Sequence, residues 1–215
     1  MRALISWLVL GVASLAGAAE AAVGWDPVGV TKGVMVERKL VEGSPLFAFR
    51  GEGTFDVPMS RLVGVLRDHS TPVEWVDLIT EHKVVQKVDD LTNVIYESYD
   101  LPWPISDRDY VMRETTAYDA AGKVFTIQYE SIDHPSTPDK TGTVRAKAYR
   151  TFWRLEKVGP TRTKVEIEVF TDPRGNLPAW LVNLIQQDWP WKTIDGLLVR
   201  SSRGDITADE RVESW

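Results

Sequence analysis

The chain has no cysteine and only three histidines, His69, His82 and His134. Without cysteine it forms no disulfide bond, so its fold depends on a buried core. None of the histidines stands in HExxH or another metal-ligand spacing. The sequence also lacks a GxSxG nucleophile elbow, a GxxxxGK[ST] phosphate loop and a GxGxxG motif after a strand. We therefore expect no metal, no cofactor and no catalytic residue.

The chain also has fewer basic than acidic residues: its 25 Lys and Arg and 31 Asp and Glu give a formal net charge of −6 at pH 7. A surface that binds nucleic acid is normally basic, so we expect no nucleic-acid partner. Tryptophan is abundant, with nine in 215 residues. Tryptophans are typical of a packed core, and rows of aromatic side chains also line apolar cavities. The length suits one domain with a substantial core.

The longest apolar run lies at the N terminus, where Arg2 precedes a mostly apolar stretch over residues 3–15. Small residues follow, with possible cleavage sites after Ala18 and Ala21. This pattern predicts a secretory signal peptide over residues 1–21. A retained membrane anchor is the alternative, although the run is shorter than the roughly 20 residues that span a bilayer. We expect an exported protein, periplasmic or secreted, that is soluble after cleavage and carries no cysteine for lipoprotein acylation.

The rest of the chain predicts one α+β domain over residues 24–202 and a polar, disordered tail over residues 203–215. Alternation and turn signals predict strands at residues 34–40, 46–55, 81–88, 93–101, 108–118, 124–132, 143–155 and 164–171. Helical spacing predicts helices at residues 59–67 and 73–78 and a long helix from Pro178, which Pro190 kinks or interrupts. Residues 25–34 are expected to form a short helix or an irregular lead-in.

Three motifs stand in order along this domain: LPWPISDRDYV at residues 101–111, GTVRAKAY at residues 142–149 and GNLPAWLVN at residues 175–183. Pro102 and Pro104 give the first motif a rigid turn between two strands. Together the motifs resemble the START family of steroidogenic-acute-regulatory-protein-related lipid-transfer domains. The resemblance implies a helix-grip fold, in which a curved antiparallel β-sheet wraps around a long C-terminal helix and encloses a lipid-sized internal cavity.

The resemblance also indicates which faces of two neighbouring strands line that cavity, because alternate side chains of a strand point to opposite faces. The candidate ligand-binding residues on these strands are Glu97, Tyr110, Met112 and Glu114. On the terminal helix, Trp180 and Leu184 are candidates for the cavity floor or for the core. These six positions, with Tyr149, form the predicted ligand site.

Within the family, the motifs are most similar to the branch that transfers phosphatidylcholine. In that branch, aromatic side chains form a cage around the choline group of the bound lipid. Tyr110 and Tyr149 match two cage positions, whereas Glu97 stands in place of the third, a tryptophan. The arginine that binds phosphate in that branch has no counterpart near Pro72. The resemblance therefore implies a lipid cavity whose polar end differs from that branch.

Glu97 has two interpretations. It is a solvated strand residue, or it is a buried carboxylate that marks the polar end of the pocket. A buried carboxylate requires a partner, and Arg145, Arg150, a ligand amine or a sterol hydroxyl are the candidates.

A carrier must also open, so we expect a mobile gate. The loop at residues 133–140, with His134 and Pro135, is one candidate for the gate. The other is the kink at Trp189 and Trp191, whose tryptophans suit either a membrane interface or simple packing.

The hairpin motif itself has a structural interpretation. We expect Arg108 and Asp109 to fix the hairpin through hydrogen bonds and an ion pair. Trp103, between two prolines, is expected to anchor the turn by packing.

These features favour an exported, monomeric protein that binds a lipid or sterol-like ligand, contacts membranes transiently and transfers the ligand between them. Two alternatives use the same scaffold, because a fold does not fix a function. One is an enzyme of the cyclase or hydrolase type, which would alter its ligand chemically. The other is a ligand sensor that docks a partner protein when filled.

Overall fold

The computed structural model describes residues 24–215, and the predicted signal peptide lies outside them. Its main feature is one antiparallel sheet with the strand order β1-β2-β3-β10-β9-β7-β6-β5-β4, in which β8 adds a short parallel pairing to β6. The strands are β1 Asp26–Thr31, β2 Val34–Leu40, β3 Phe47–Phe55, β4 Ile79–Lys87, β5 Thr92–Tyr99, β6 Asp107–Asp119, β7 Val124–Ser131, β8 Thr143–Arg145, β9 Lys147–Gly159 and β10 Arg162–Asp172.

The helices are α1 Met59–Arg67, α2 Ala179–Gln187, α3 Trp189–Ser201 and α4 Glu210–Glu213, with a 3₁₀ turn at Pro72–Glu74. The architecture is α+β, as predicted, with the C-terminal helices packed against the sheet. Two local predictions were wrong. The lead-in contains strand β1, and residues 73–78 form only that 3₁₀ turn, because Val76 to Leu78 turn away into the start of β4. Among the described residues, no helix is long and apolar enough to cross a bilayer.

The main core lies between α1, α3 and the sheet. Leu62 of α1 and both Ile194 and Leu197 of α3 are fully buried against Ile127 and Leu155 of the sheet. Burial of each such side chain contributes roughly 1.5–3 kcal/mol relative to exposure. This core therefore fixes α1 and α3 firmly in place.

The long terminal helix is divided in two at Asp188. Helix α2 ends at Gln187, and α3 begins at Trp189 with Pro190 in its first turn, where the missing N–H is not needed. The two parts differ in burial, since Val182 is the buried residue of α2, whereas six residues of α3 are buried. The predicted interruption at Pro190 is thus a joint between a loosely held α2 and a tightly held α3.

The tail at residues 203–215 is ordered, contrary to the prediction. Ile206 and Val212 are buried in the main core, and the backbone N–H of Asp209 donates to the Ser60 carbonyl at 2.9 Å. The Trp215 ring packs edge-on against Tyr118, with ring centroids 6.2 Å apart. The tail folds because its few apolar side chains cover α1, so the domain extends beyond residue 202.

Helix α3 also approaches the 3₁₀ turn very closely. A side chain at Gly196 would place its Cβ 2.1 Å from the carbonyl oxygen of Trp75, so only glycine fits there. This approach holds the segment from Trp75 to Leu78, which borders the cavity described next, against the core.

Candidate functional site

A cavity lies between the sheet and the segment formed by α2 and the start of α3. Its volume is about 170 Å³, enough for on the order of ten water molecules. Its apolar wall includes Trp153 and Val169 from the sheet, Val182 and Ile185 from α2, and Trp75 before β4. A mostly apolar cavity with a few polar groups is the usual form of a small-ligand site.

Four of the predicted site residues line this cavity: Glu97, Tyr110, Met112 and Glu114. Glu97 pairs with Tyr110 in the register of β5 and β6, which places both side chains on the same face of the sheet. Burial raises the pKa of Tyr110 to about 12, so its hydroxyl stays protonated. The alternation of these strands thus brings the predicted polar residues together on one wall.

Tyr149 does not line the cavity. The pairing of β9 with β10 shifts between Phe170 and Thr171, so Tyr149 is the extra residue of a β-bulge and has no partner in the register. Its ring stacks on Phe170, with centroids 5.1 Å apart, and it borders a separate surface pocket. The bulge therefore removes one of the two predicted cage positions.

Trp180 and Leu184 also lie outside the cavity, with 68% and 59% of their surface exposed. The orientation of α2 is set by its polar residues. Asn183 accepts a hydrogen bond from the Phe47 N–H at 2.9 Å, and Gln186 donates to Thr171 Oγ1 at 2.9 Å. These contacts turn the opposite face of the helix inward, so the predicted helix face was wrong.

Neither predicted gate has the expected surroundings. The loop at residues 133–140 does not border the cavity. His134 lies 3.0 Å from the Gln86 side chain, and Arg145 donates to the Thr137 carbonyl at 3.2 Å, so the loop is held along the β4 side of the sheet. Pro135, within this loop, is exposed and makes no cavity contact.

The two tryptophans of the second predicted gate are partly buried against the main core. Trp189 lines the cavity. Trp191 is covered by Lys32, whose Nζ lies 5.7 Å from the ring centroid. In this position both tryptophans are part of the packing, and neither is largely exposed.

Glu97 is a partly buried member of a polar cluster, with 14% of its side chain exposed. Its Oε1 lies 3.0 Å from His82 Nδ1, and its Oε2 accepts a hydrogen bond from the Tyr99 hydroxyl at 2.8 Å. Burial, and then the charge and hydrogen bond of Glu97, raise the pKa of Tyr99 well above its usual value. The arginines expected as partners are engaged elsewhere, Arg145 with Asp109 at 2.8 Å and Arg150 with a glutamate of β10.

Glu114 lies deeper, with 1% of its side chain exposed. Its Oε1 accepts a hydrogen bond from Asn93 Nδ2 at 3.0 Å and lies 3.4 Å from His69 Nε2 and 3.6 Å from Arg67 Nη1. Burial alone would raise the pKa of Glu114. The hydrogen bonds and charges of His69, together with Asn93 and Arg67, outweigh burial, so the pKa lies below its ordinary value.

Two histidines connect the glutamates. His69 Nδ1 and His82 Nε2 are 3.1 Å apart, and the rings are stacked with centroids 5.3 Å apart. We call Glu97, His82, His69 and Glu114 the histidine–glutamate chain. Sequence reasoning missed it, because the histidines are thirteen residues apart and meet only where β4 runs back past the loop after α1. Within residues 24–215, no group of three or more acidic or histidine side chains is placed to hold a metal ion.

Arg108 connects the sheet to the entry of α2. Its guanidinium donates to the carbonyls of Pro173 at 2.9 Å and Arg174 at 3.0 Å, and also to that of Ser106. The predicted hydrogen bonds of Arg108 are present and also reach beyond the hairpin. The ion pair of Asp109 is formed with Arg145 of β8, so it attaches the hairpin to a neighbouring strand and does not close it internally. Trp103 is 92% exposed, so the prediction that it is a packing anchor was wrong.

Comparisons with known proteins agree with this geometry. A family model described as the START domain matches residues 12–187. An uncharacterized protein of Pseudomonas aeruginosa is 30% identical over 198 residues, which are 92% of this chain and 96% of that protein. Phosphatidylcholine transfer protein of Bos taurus is 30% identical over 173 residues, which are 79% of this chain and 78% of that protein.

Solved structures show the same relationship. Human STARD10 superposes with a TM-score of 0.78 at 27% identity, covering 85% of this chain and 74% of that chain. A fragment of the STAR-related lipid transfer protein of Xanthomonas axonopodis gives a TM-score of 0.73 at 28% identity, covering 84% of this chain and 99% of that chain. These matches confirm the predicted helix-grip fold. The chain belongs to the START domain family.

Proposed function

We propose that this protein binds a single lipid or similar hydrophobic ligand in the cavity and carries it between membranes without altering it. The observation that supports this most directly is the largely apolar cavity beneath α2, lined by side chains from the sheet and both terminal helices. Relatives named for the transfer of phosphatidylcholine or lipid match 79% and 84% of this chain. The monomeric state and the absence of catalysis are part of the same proposal.

The carrier function has a simple energetic basis. Each buried CH₂ contributes about 0.8 kcal/mol, so a sixteen-carbon chain exposed to water represents roughly 12–13 kcal/mol. Trp75, Trp153 and Trp189 would replace that water with apolar contacts along the chain. The cavity thus removes most of the barrier to moving a lipid through water.

The opening for the lipid is proposed to lie between α2 and the loop before β4. Leu78 and Ile185 line the cavity and are also 39% and 38% exposed, so each side chain borders both the cavity and solvent. α2 is held by a few polar contacts and one buried side chain, which makes it the element most easily moved. We propose α2 as the gate, in place of the two gates expected from the sequence.

The outer face of α2 is suited to a membrane. Trp180 and Leu184 are one helical turn apart and largely exposed. Aromatic and aliphatic side chains on such a face insert into the interfacial region of a bilayer. We propose that this face contacts the membrane transiently while α2 opens.

Filling the cavity tests the binding function. Ala148 lies on the cavity wall and is 1% exposed, so Ala148→Phe should abolish the lipid seen by native mass spectrometry of the purified protein. Ala117→Phe is the matched control, because Ala117 is exposed on β6. An unchanged lipid load in a folded Ala148→Phe variant would refute the cavity as the binding site. A chemically altered ligand would favour the enzyme alternative instead.

Membrane transfer is tested separately. The double variant Trp180→Ser and Leu184→Ser should retain its lipid but transfer it between vesicles about tenfold more slowly. Val158→Ser is the control, since Val158 is 48% exposed at a strand end. Transfer at the normal rate in the double variant would exclude this face from the membrane contact.

We also propose export, which rests on the signal-like pattern of residues 1–21. The N terminus of the protein recovered from outside the cytoplasm should begin after Ala18 or Ala21. Recovery of the uncleaved chain in the cytoplasm would contradict this proposal.

A further inference from the structure

The polar wall of the cavity is built around the histidine–glutamate chain. Glu97 faces Tyr110 across the β5–β6 pairing, and Glu114 lies four residues farther along β6, so their backbone positions are separated by about 13 Å along the strand. His82 and His69 bridge them through contacts of 3.0, 3.1 and 3.4 Å. A continuous polar track therefore runs along an otherwise apolar wall.

The contacts of the two histidines fix where the glutamates lie. His82 Nδ1 faces the Glu97 carboxylate, which can only accept a hydrogen bond, and His69 Nδ1 lies 3.1 Å from His82 Nε2. His69 Nε2 lies 3.4 Å from Glu114 Oε1 and 3.3 Å from Asn93 Nδ2, which itself donates to Glu114. Both carboxylates are therefore held in place along the wall.

Positive charge for a ligand is missing from the same wall. Among the described residues that line the cavity, three are carboxylates and one, Arg108, is a guanidinium. All three nitrogens of Arg108 already donate to backbone carbonyls. Of the three carboxylates, Asp77 is paired with Lys192 at 3.1 Å and Glu114 lies 3.6 Å from Arg67, which leaves Glu97 without a Lys or Arg partner among the described residues. An anionic group placed there would meet repulsion in a medium of low dielectric constant.

Several acceptors on the wall are free. Glu114 Oε2 and Gln186 Oε1 are buried and make no hydrogen bond within the described residues. Both residues line the cavity. Each oxygen of Glu97 makes one hydrogen bond and retains a second lone pair. Buried acceptors without partners are unfavourable, so the wall is complementary to a ligand that supplies donors.

We propose that the cavity selects lipids whose polar end donates hydrogen bonds, a hydroxyl or an ammonium group, and disfavours lipids that bring a phosphate into it. Glu97, Glu114 and Gln186 accept those hydrogen bonds, and His82 and His69 position the two carboxylates. This inference rests on the proposed carrier function and deepens it by naming the ligand class. It separates this chain from the relatives whose name specifies phosphatidylcholine.

The test uses four probes that share a sixteen-carbon tail and differ at the polar end: hexadecan-1-ol, hexadecylamine, palmitate and hexadecyl phosphate. Binding to the purified, delipidated protein is followed by quenching of tryptophan fluorescence. We expect the alcohol and the amine to bind at least about tenfold more tightly than the two anions. An amine that binds more tightly than the alcohol would identify charge pairing, and equal affinities would identify hydrogen bonding; either result supports the proposal.

Substitutions connect the preference to the wall. Glu97→Gln and Glu114→Gln keep the side-chain shape but remove the charge, so amine affinity should fall and hexadecyl phosphate affinity should rise in each, changing their ratio about tenfold. Glu130→Gln is the control, because Glu130 is exposed on the neighbouring strand β7. His82→Asn should give a smaller change of the same sign, since it keeps both carboxylates and disturbs the contacts of His82 with Glu97 and His69.

The outcomes separate the two proposals. Equal binding of all four probes, or a ratio unchanged in both glutamate variants, would overturn the selectivity and leave the carrier function standing. Failure of all four probes to bind would remove the carrier function and the selectivity with it.

Discussion

Arg108 offers the sharpest test of how the cavity is closed. Arg108→Met keeps a long apolar stem but deletes all the donors that hold the Pro173 and Arg174 carbonyls, which lie just before α2. Hydrogen bonds from a charged donor contribute about 1.5–3 kcal/mol each. Burial of the guanidinium, which lowers the pKa of Arg108, offsets part of this gain. We expect the variant to lose about 3 kcal/mol of unfolding free energy, more than a hundredfold in the equilibrium constant.

The assay combines urea unfolding with amide hydrogen exchange. Exchange should accelerate at residues 173–187, because the segment that leads into α2 has lost its attachment to β6. Arg113→Met is the matched control, since Arg113 is exposed on the opposite face of the same strand. A loss below about 0.5 kcal/mol, within the range of ordinary surface changes, or unchanged exchange at residues 173–187, would refute this account of the closure.

Three further predictions concern the supports of the site. The pKa of Glu114 lies below its usual value of 4.5, so its charge stabilises the fold above about pH 4.5, and this contribution is lost on acidification. Between about pH 5 and 3 the urea midpoint of Glu114→Gln should therefore fall less steeply than that of the unchanged protein. Midpoints of the two proteins that fall in parallel would contradict this. Gly196→Ala should lower the free energy of unfolding by about 1–3 kcal/mol in thermal unfolding, because the new Cβ would meet the Trp75 carbonyl. Helix propensity alone predicts the opposite, a stabilised variant, and that result would show that α3 can move away from Trp75. Val212→Ala should lower the free energy of unfolding by about 2 kcal/mol, because Val212 is buried. The control Val199→Ala should change it by less than about 0.5 kcal/mol, because Val199 is exposed; equal effects of the two substitutions would mean that the tail is not part of the core.

The parts of this fold that local patterns determine were predictable. The bounds of β2 and α1 agree with the structure to the residue, because alternation and helical spacing are properties of short windows. The cavity face of β6, with Tyr110, Met112 and Glu114, follows from alternation once the family resemblance indicates which face is inside. The two prolines and the Arg-Asp pair likewise locate the hairpin directly.

The remaining errors come from contacts between distant segments. Tyr149 lies at a bulge that appears only in the pairing of β9 with β10. The rotation of α2 depends on Asn183 reaching Phe47, 136 residues earlier. The His69–His82 contact joins a loop to the edge strand and has no local signature. Side chains that meet only in the folded state leave no periodic trace in the sequence, so the polar wall of the cavity could not be read from it.

The closure of the core by the last segment has a consequence for biosynthesis. The Ser60 carbonyl in α1 accepts a hydrogen bond from the Asp209 N–H, 149 residues later in the chain. Val212, close by in the tail, is buried in the same core as the apolar residues of α1. A ribosome that adds about 5–20 residues per second takes roughly 8–30 s to bridge that interval. During this time the apolar side of α1 has no permanent cover, so a nascent chain of this protein stays unfinished until almost every described residue has been made.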